Sequence, residues 1–227
     1  EIYDAKSGNH VKSPTIGYEK VAMLSGVFMA NYSYKGRYLL KASMRADGSS
    51  KFSPDNRWGF FPSGAIGWRV SDESFFKNVS WLKKNVDNLK LRFSYGQVGN
   101  DQIASYAYAQ TLASSSRQAV FGDGTISALY TNRMANPDIS WEVTEEFNGG
   151  LDLVNNRLNI SVDLYTKKTK DMLLEQNLPR MSGFSKVTRN IGSVRNRGFE
   201  ISVGGLIIDK KDFSWNATIL VPISPKC

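Results

Sequence analysis

The feature that most constrains this chain is the alternation of apolar and polar residues at every second position. It is clearest over residues 37–47, where one face carries Tyr38, Leu40, Ala42, Met44 and Ala46. A period of two is typical of a β-strand with one apolar face. Eight segments follow the pattern, namely 20–34, 37–47, 57–70, 87–98, 139–154, 157–172, 190–205 and 212–221. They cover about twice the strand fraction of an average soluble domain, so the sequence predicts an all-β fold.

The connections between these segments differ in length in a regular way. Those at 35–36, 155–156 and 206–211 are short, whereas 99–138 is very long. In an antiparallel meander, successive connections lie at opposite ends of the strands. Tight turns at one end and long loops at the other are typical of an outer-membrane barrel. The connection 71–86 begins Ser-Asp-Glu and predicts a short helix with Ser71 as its N-cap.

Large aromatic residues favour a membrane barrel over a soluble β-sandwich, whose strands also alternate. Two aromatic bands on the apolar face bracket an aliphatic middle, as a lipid-facing surface requires. The predicted membrane-interface residues are Tyr32, Tyr34, Tyr38 and Trp68 near the short turns, and Trp58, Phe60 and Trp141 at the opposite end.

Composition excludes several other classes of protein. A mean hydropathy of −0.35 without a long apolar run excludes a helical membrane protein. With one cysteine, Cys227, and one histidine, His10, the chain has no disulfide framework and no His- or Cys-based metal site. We find no catalytic constellation and expect no cofactor and no enzyme activity.

The formal net charge of +8 indicates an anionic partner, which could be lipid or nucleic acid. Basic residues cluster at 167–170 and 189–197, without a recognised nucleic-acid module around them. On a barrel exterior these side chains would meet lipopolysaccharide phosphates. We therefore expect no nucleic-acid partner.

Six ordered blocks resemble the C-terminal barrel of SusC/RagA-type TonB-linked outer-membrane proteins. The blocks are RYLLKASMRADGSSKF (37–52), NRWGFFPSGAIGWRVSDESFF (56–76), LKLRFSYGQVGN (89–100), NPDISWEVTEEFNGGLDL (136–153), NNRLNISVDLYTKKTKDMLL (155–174) and NIGSVRNRGFEISV (190–203). The resemblance implies an antiparallel up-and-down transmembrane β-barrel of about 22 strands around a plug. Residues 20–221 would supply a partial barrel of about eight of those strands.

The same resemblance implies the function and the partners. Members of this family are importers of oligosaccharides or peptides in the bacterial outer membrane, surrounded by lipid and lipopolysaccharide. They work with a SusD-like surface lipoprotein and, through an N-terminal part outside this chain, with the TonB complex. Residues 1–19 are then an extracellular-loop remnant. Residues 222–227 are an atypical tail, because Pro222 and Pro225 cannot donate ladder hydrogen bonds.

Two groups of residues are candidate functional sites. The polar strand positions predict a lumen-facing basic patch of Arg37, Lys41, Arg45, Arg69, Lys90 and Arg92, which we expect to pair with plug carboxylates or lumen water. The long connection supplies the substrate-binding candidates Tyr106, Tyr108, Phe121 and Tyr130. Aromatic rings among small polar residues suit stacking on sugars or clasping a peptide. A self-packed loop, or contact with the lipoprotein, is the alternative.

A binding or structural module is the alternative function. Eight strands are enough to close a small membrane barrel, which could act as an adhesin or anchor. A soluble sandwich could instead use its positive charge on an acidic partner. The six family blocks favour the importer over both.

Overall fold

In the computed structural model the chain consists mainly of long antiparallel strands. The structure describes residues 2–3, 10–11, 20–110, 112–121, 124–131 and 133–224. The strands in chain order are β1 (Ile2–Tyr3), β2 (His10–Val11), β3 (Met23–Tyr34), β4 (Tyr38–Ser49), β5 (Trp58–Arg69), β6 (Asn88–Asn100), β7 (Leu112–Phe121), β8 (Gly124–Thr131), β9 (Glu142–Val154), β10 (Leu158–Lys170), β11 (Leu173–Asn177), β12 (Lys186–Asn190), β13 (Val194–Lys210) and β14 (Phe213–Ile223). The helices are α1 (Ser74–Lys77) and α2 (Ser80–Asn85), with 3₁₀ turns at Pro54–Asn56, Val70–Asp72 and Arg180–Ser182. Over the described ranges, no helix has both the length and the apolar character needed to cross a membrane.

Eight of the strands form one open antiparallel sheet in the order β3-β4-β5-β6-β9-β10-β13-β14. Sheet order follows chain order throughout, so the sheet is an up-and-down meander. This confirms the predicted all-β fold and its partial-barrel architecture. Both β3 and β14 are edge strands of the described sheet, which disagrees with a small closed barrel. A single open layer also disagrees with a two-sheet sandwich.

The register of the strands aligns the apolar residues of neighbouring strands, so that they form one face of the whole sheet. On one face Ile66 lies between Leu40 and Phe93, and further along Leu164 faces Phe199. Side chains on this face are exposed, with both Phe93 and Leu164 at 61%. The opposite face carries polar side chains at the intervening positions. We call these the apolar face and the polar face. An apolar face this extensive requires an apolar environment to cover it.

The two ends of the sheet differ in how the strands are connected. At one end, the tight-turn end, residues 35–37, 155–157 and 211–212 form short turns, and 70–87 contains the helices. Lys35 and Gly36 have φ values of 51° and 69°, which a tight hairpin turn requires. At the other end, the loop end, lie the connections 50–57, 101–141 and 171–193. The two longer ones contain the hairpins β7–β8 and β11–β12.

The helix expected after residue 71 is present, but its start differs from the prediction. Residues Val70–Asp72 form a 3₁₀ turn, so α1 begins later and its N-cap is Glu73 instead of Ser71. The Glu73 side chain makes no capping hydrogen bond, which leaves its carboxylate for other partners.

β14 continues through Pro222, which faces Glu200, and ends at Ile223. The sequence predicts a break at this proline. Within the described sheet β14 pairs with β13 alone, and a residue without an N–H can be accommodated on the side of a strand that does not pair. Pro225 and most of residues 1–19 lie outside the described residues.

Candidate functional site

The long connections pack around a small buried core at the loop end of the sheet. Its members are Phe52, Phe61, Ala107, Ile139 and Trp141. The ring centroid of Trp141 lies 5.0 Å from that of Phe52 and 5.5 Å from that of Phe61. The core joins connection 50–57, strand β5 and connection 101–141. We call the three long connections, 50–57, 101–141 and 171–193, the loop platform.

The prediction that Trp141 belongs to an outer aromatic band is wrong. Its side chain is buried at 6% exposure, and its indole N–H donates to the carbonyl O of Arg57 at 3.1 Å. β9 begins only at Glu142, so the alternation of that strand does not extend to Trp141. Gly59 leaves room for the ring, because a Cβ there would lie 3.1 Å from Cδ1 of Trp141.

Side-chain to backbone hydrogen bonds tie the parts of the loop platform together. Ser53 Oγ donates to the carbonyl O of Pro137 at 2.8 Å, which joins the first and second connections. Asn190 Nδ2 donates to the carbonyl O of Ser140 at 2.8 Å, and the Ser140 N–H donates to Asn190 Oδ1 at 2.9 Å. This reciprocal pair joins the second and third connections.

An ion-pair cluster also holds the β11–β12 hairpin. Glu175 lies 2.9 Å from Lys186 Nζ and 3.6 Å from Arg133 Nη2. The hydrogen bond from Lys186 is the main reason that the pKa of Glu175 lies below its ordinary value, with the charge of Arg133 adding to it. The cluster therefore links β12 to the end of the long connection 101–141.

Tyr106 and Tyr108, two of the four substrate-binding candidates, lie together on the loop platform. They flank Ala107, which is 1% exposed and packs in the buried core. Tyr106 is 46% exposed and has a φ of 58°, a left-handed conformation that is uncommon for a residue with a Cβ. Phe121 ends β7 and Tyr130 lies in β8, but their side chains are outside the described part of the structure.

Four of the six predicted basic residues lie in neighbouring rows of the polar face. Register places Lys41 opposite Ala65, Arg92 opposite Gly67, and Lys90 opposite Arg69. These side chains come from β4, β5 and β6.

The other two predicted basic residues lie apart from this group. Arg45 is nearer the loop end, opposite Phe61, and its Nε donates to Asp47 Oδ2 at 2.7 Å. Arg37 lies in the turn before β4 and pairs with Glu73. The prediction of one continuous basic patch is therefore too simple.

The most connected group on the polar face is the wall cluster, which consists of Arg92, Asp152, Ser161 and Asp163. Arg92 Nε donates to Asp152 Oδ2 at 2.7 Å, and Arg92 Nη2 donates to Asp152 Oδ1 at 2.9 Å and to Asp163 Oδ1 at 3.1 Å. Ser161 Oγ donates to Asp152 Oδ1 at 2.8 Å. The cluster thereby connects β6, β9 and β10, and a bidentate guanidinium pair of this kind is strong and directional.

Gly150 allows the wall cluster to form. It lies in β9 between Arg92 on β6 and Asp163 on β10. A Cβ at this position would lie 2.8 Å from Arg92 Cζ and 2.7 Å from Asp163 Oδ1. The guanidinium can reach across β9 only because the strand carries no side chain there.

Sequence reasoning placed Arg92 on the polar face but missed its partners. Asp152 lies between Leu151 and Leu153, and Asp163 precedes Leu164. The alternation therefore puts both carboxylates on the face of Arg92, and that signal could have found them. Arg92 binds carboxylates of its own sheet, whereas we expected carboxylates of a plug.

A second polar cluster lies at the tight-turn end around Glu73. Its carboxylate accepts hydrogen bonds from Tyr38 Oη at 2.7 Å, Trp68 Nε1 at 3.2 Å and Arg37 Nη1 at 3.2 Å. The bonds from Tyr38 and Trp68, followed by the charge of Arg37, hold the pKa of Glu73 below its ordinary value. The rings of Tyr38 and Trp68 stack with centroids 6.4 Å apart.

The remaining predicted interface aromatics lie on the apolar face near its two ends. Tyr34, Tyr38 and Trp68 share one row at the tight-turn end. Phe60 and Trp58 lie on the same face at the loop end, at 64% and 48% exposure. Their contact with lipid stays a prediction.

The chain matches the family model described as TonB dependent receptor-like, beta-barrel, over residues 6–222. This chain belongs to the TonB-dependent receptor β-barrel family. The match covers seven of the eight strands of the sheet completely and β14 through Pro222, so the family assignment and the fold rest on the same residues.

Among the curated relatives of this receptor barrel, TonB-dependent receptor P3 of Formosa agariphila is 38% identical over 218 residues, which cover 94% of this chain and 21% of that protein. TonB-dependent receptor SusC of Bacteroides thetaiotaomicron is 37% identical over 222 residues, which cover 95% of this chain and 21% of SusC. The chain therefore spans about a fifth of the length of these curated relatives.

Solved structures give the same result. The RagAB peptide importer in its open-open state matches 98% of this chain and 24% of its own, with a TM-score of 0.74 and 28% identity. In the closed-closed state the match covers 89% of this chain and 22% of that one, with a TM-score of 0.73 and 30% identity. The resemblance to SusC/RagA-type proteins is thus confirmed.

Membership of the TonB-dependent receptor family indicates which surroundings each face of the sheet is expected to have. Proteins of this family are barrels of the bacterial outer membrane, which confirms the predicted location. The outside of such a barrel is apolar and its interior is polar. We therefore expect the apolar face to be the outer surface and the polar face, with its wall cluster, to line the lumen. In the described part of the receptor, no group of three His, Cys, Asp or Glu residues could hold a metal ion.

Proposed function

We propose that this chain is part of the barrel wall of a TonB-dependent outer-membrane importer that takes up oligosaccharides or peptides. The observation that carries the proposal is the match of 98% of the chain to the RagAB peptide importer, with a TM-score of 0.74. The wall cluster and the loop platform suit a transport role, since one stiffens the lumen wall and the other presents a shaped surface at its mouth.

The proposal includes two protein partners. A SusD-like surface lipoprotein would cover the loop end of the barrel, and the TonB complex would supply energy through a part of the receptor outside this chain. Relatedness to SusC and the likeness to RagAB support both partners. The loop platform supports the first, because its three connections are joined into one surface that a lid could contact.

The outer face is proposed to contact outer-membrane lipid and lipopolysaccharide. The large exposed side chains on the apolar face, such as Phe28 at 68% and Ile219 at 67%, support lipid contact. The interface aromatics at both ends of the strands would lie at the two membrane boundaries.

Substrate contact is proposed for the aromatic residues of the long connection. Tyr106 supports this best, because it is exposed while its neighbour Ala107 is held in the buried core. A ring fixed in this way offers a flat surface to a sugar or to a peptide side chain. Tyr108, Phe121 and Tyr130 belong to the same proposal.

Lumen-facing cations are proposed to face the plug. Lys41, Arg69 and Lys90 suit carboxylates of a plug or lumen water, with direct substrate contact as the less favoured role. Arg92 contributes differently, because its guanidinium already binds Asp152 and Asp163. It stabilises the wall and does not offer a free charge to the lumen.

The test is uptake by cells that carry or lack the full-length receptor containing this segment. Labelled oligosaccharides and labelled peptides are supplied separately, with and without a functional TonB complex. We expect uptake of one class to require both the receptor and TonB. If cells without the receptor took up both classes as fast as cells with it, the proposal that the receptor is an importer would be contradicted.

A variant pair tests the role of the loop platform in the same receptor. Tyr106→Ala should reduce uptake or substrate affinity by about tenfold, which corresponds to about 1–1.5 kcal/mol for one aromatic contact. The matched control is Tyr34→Ala, which removes an equal side chain from the apolar face at the tight-turn end. Equal uptake by both variants would exclude substrate contact by Tyr106.

A further inference from the structure

The pairing between β5 and β6 stops before the loop end of the sheet. Among the described residues of these two strands, Ser63 opposite Gly96 is the last pair in that direction. Both strands continue beyond it, since β5 pairs with β4 as far as Trp58 and β6 pairs with β9 as far as Asn100. We call the part in which β5 and β6 do not pair the unpaired stretch, residues 58–62 of β5 and 97–100 of β6.

The ring of Phe61 lies in the unpaired stretch, between two glycines. Gly59 is on the same strand, and a Cβ added there would lie 2.5 Å from Phe61 Cζ. Gly99 is on β6, and a Cβ added there would overlap the same Phe61 Cζ. The tip of the ring therefore occupies the space that a side chain at either position would fill. Phe61 thus bridges the two strands where their backbones do not pair.

Phe61 also joins the sheet to the loop platform. It is the one member of the buried core that lies in a strand of the sheet, and the other four lie in the connections 50–57 and 101–141. Its ring meets that of Trp141 edge-on, with the centroids 5.5 Å apart and an angle of 70° between the ring planes. Edge-to-face packing of this kind adds to the energy of burial. The platform therefore rests on the wall through this ring.

The neighbouring phenylalanine of β5 has different surroundings. Phe60 is 64% exposed on the apolar face, whereas Phe61 is 4% exposed in the core. The two rings have the same size and lie next to each other in the chain. Phe60 is therefore a matched control for the removal of Phe61.

We infer that Phe61 is a positioning residue, which fixes the loop platform against the wall and thereby places Tyr106 at the mouth of the barrel. The connection to Tyr106 runs through Ala107, which is 1% exposed in the same core and follows Tyr106 in the chain. The inference rests on the proposed function in one respect, namely that Tyr106 contacts the substrate.

The first experiment measures backbone hydrogen exchange in the purified full-length receptor. Phe61→Ala is compared with the wild type and with Phe60→Ala. The reporter is the Ser140 N–H, which donates to Asn190 Oδ1 within the loop platform. Removing a buried ring weakens the packing around it, so we expect this amide to exchange about tenfold faster in Phe61→Ala and at the wild-type rate in Phe60→Ala. Equal exchange in both variants would overturn the inference.

A second set of variants disturbs the ring without removing it. Gly99→Ala adds a methyl group that overlaps Phe61 Cζ, and the control Gly26→Ala adds one where no atom lies within 4 Å. We expect faster exchange at Ser140 in Gly99→Ala alone. Adding Phe61→Leu to Gly99→Ala should slow the exchange again, because leucine lacks the atom that the methyl group overlaps. Exchange in Gly99→Ala at the rate of the control, or no rescue by Phe61→Leu, would overturn the position assigned to the ring.

Uptake by the same receptor variants tests the link to Tyr106. Phe61→Ala should raise the substrate concentration for half-maximal uptake by about tenfold and leave the maximal rate per receptor unchanged. Adding Phe61→Ala to Tyr106→Ala should change that concentration by no more than about twofold, because the two residues act through one contact. Fully additive losses would overturn the positioning role. Faster exchange at Ser140 with an unchanged half-maximal concentration would also overturn it.

Failure of the importer and failure of this inference give different results. If the wild-type receptor takes up neither labelled class, the importer is contradicted, and the exchange at Ser140 still tests Phe61. If wild-type uptake is normal and Phe61→Ala matches the wild type in exchange and uptake, Phe61 alone loses its role. Gel migration before and after heating reports whether each variant forms a barrel. Phe61→Leu is the milder change if Phe61→Ala does not fold, and we expect it to act in the same direction.

Discussion

At the level of single residues, Glu73 shows how a carboxylate just beyond a strand can order the tight-turn end. It binds the hydroxyl of Tyr38, the indole N–H of Trp68 and the guanidinium of Arg37. The carboxylate thus connects the turn before β4, the end of β5 and the helical connection after it. The stacked rings of Tyr38 and Trp68 are held in place by the same group.

Glu73 predicts a pH dependence of stability. Its pKa in the folded protein lies below its ordinary value of 4.5, so the carboxylate stabilises the fold above pH 4.5. This stabilisation is lost as the pH falls through the folded-state pKa. Glu73→Gln should lower the thermal unfolding midpoint of the full-length receptor at pH 7, and the difference from the wild type should shrink in acid.

The matched control for Glu73→Gln is Asp72→Asn, which removes the neighbouring carboxylate. Asp72 is more exposed and lies 3.7 Å from Lys77. Exposed pairs of this kind contribute little to stability. A pH profile of Asp72→Asn that is flatter than the wild type to the same degree would assign the effect to general charge and not to Glu73.

Single residues also show what the sequence could and could not reveal. Alternation placed Arg92, Asp152 and Asp163 on one face, but only the register shows that Gly150 lies between them. The prediction for Trp141 is wrong because this residue lies one position before β9. The alternation of the two faces applies only within a strand and cannot place it. Three-dimensional contacts with Phe52 and Phe61 decide its position instead.

At the level of elements, the eight long strands were predictable and the two loop hairpins were not. The long strands alternate, as strands between lipid and a polar lumen are expected to. β7 contains the run Ser-Ser-Ser-Arg-Gln, and β11 reads Leu-Leu-Glu-Gln-Asn. Neither carries a clear period of two.

The strand pattern predicts opposite responses on the two faces of the sheet. Met44 lies mid-strand on the apolar face, between Phe28 and Pro62. Met44→Arg should reduce the free energy of unfolding in lipid by about 2–4 kcal/mol, because the charge would enter the hydrocarbon. Ser94→Arg, on the polar face, should change it by no more than about 0.5 kcal/mol. Reversible unfolding of the full-length receptor in lipid vesicles measures both values.

Equal losses in Met44→Arg and Ser94→Arg would mean that lipid does not distinguish the two faces. A loss confined to Ser94→Arg would mean that the inward and outward assignments are reversed. Either result would contradict the family-based orientation of the sheet.

At the level of the whole molecule, the architecture was predictable from the order of short and long connections. The six family blocks and the eight alternating segments lead to the same meander, and register then follows from the tight turns. The loop platform could not be predicted, because Phe52, Ala107 and Ile139 come from irregular segments whose packing has no sequence period. Its polar ties, such as Asn190 to Ser140, are equally specific to three dimensions.

The unequal connections of the sheet also set an order of events during assembly. Hairpins β3–β4, β9–β10 and β13–β14 are joined by turns of two or three residues, whereas 101–141 separates β6 from β9. Bringing β6 and β9 together costs about 2 kcal/mol more in chain entropy than closing a three-residue turn. The three hairpins should therefore form first and the β6–β9 seam last. Pulse-labelled hydrogen exchange during refolding should show late protection of the backbone amides of β6 and β9. Replacing 102–140 with a short turn should make these amides protected earlier. The long connection at the loop end would thus also slow the pairing of the two strands that it joins.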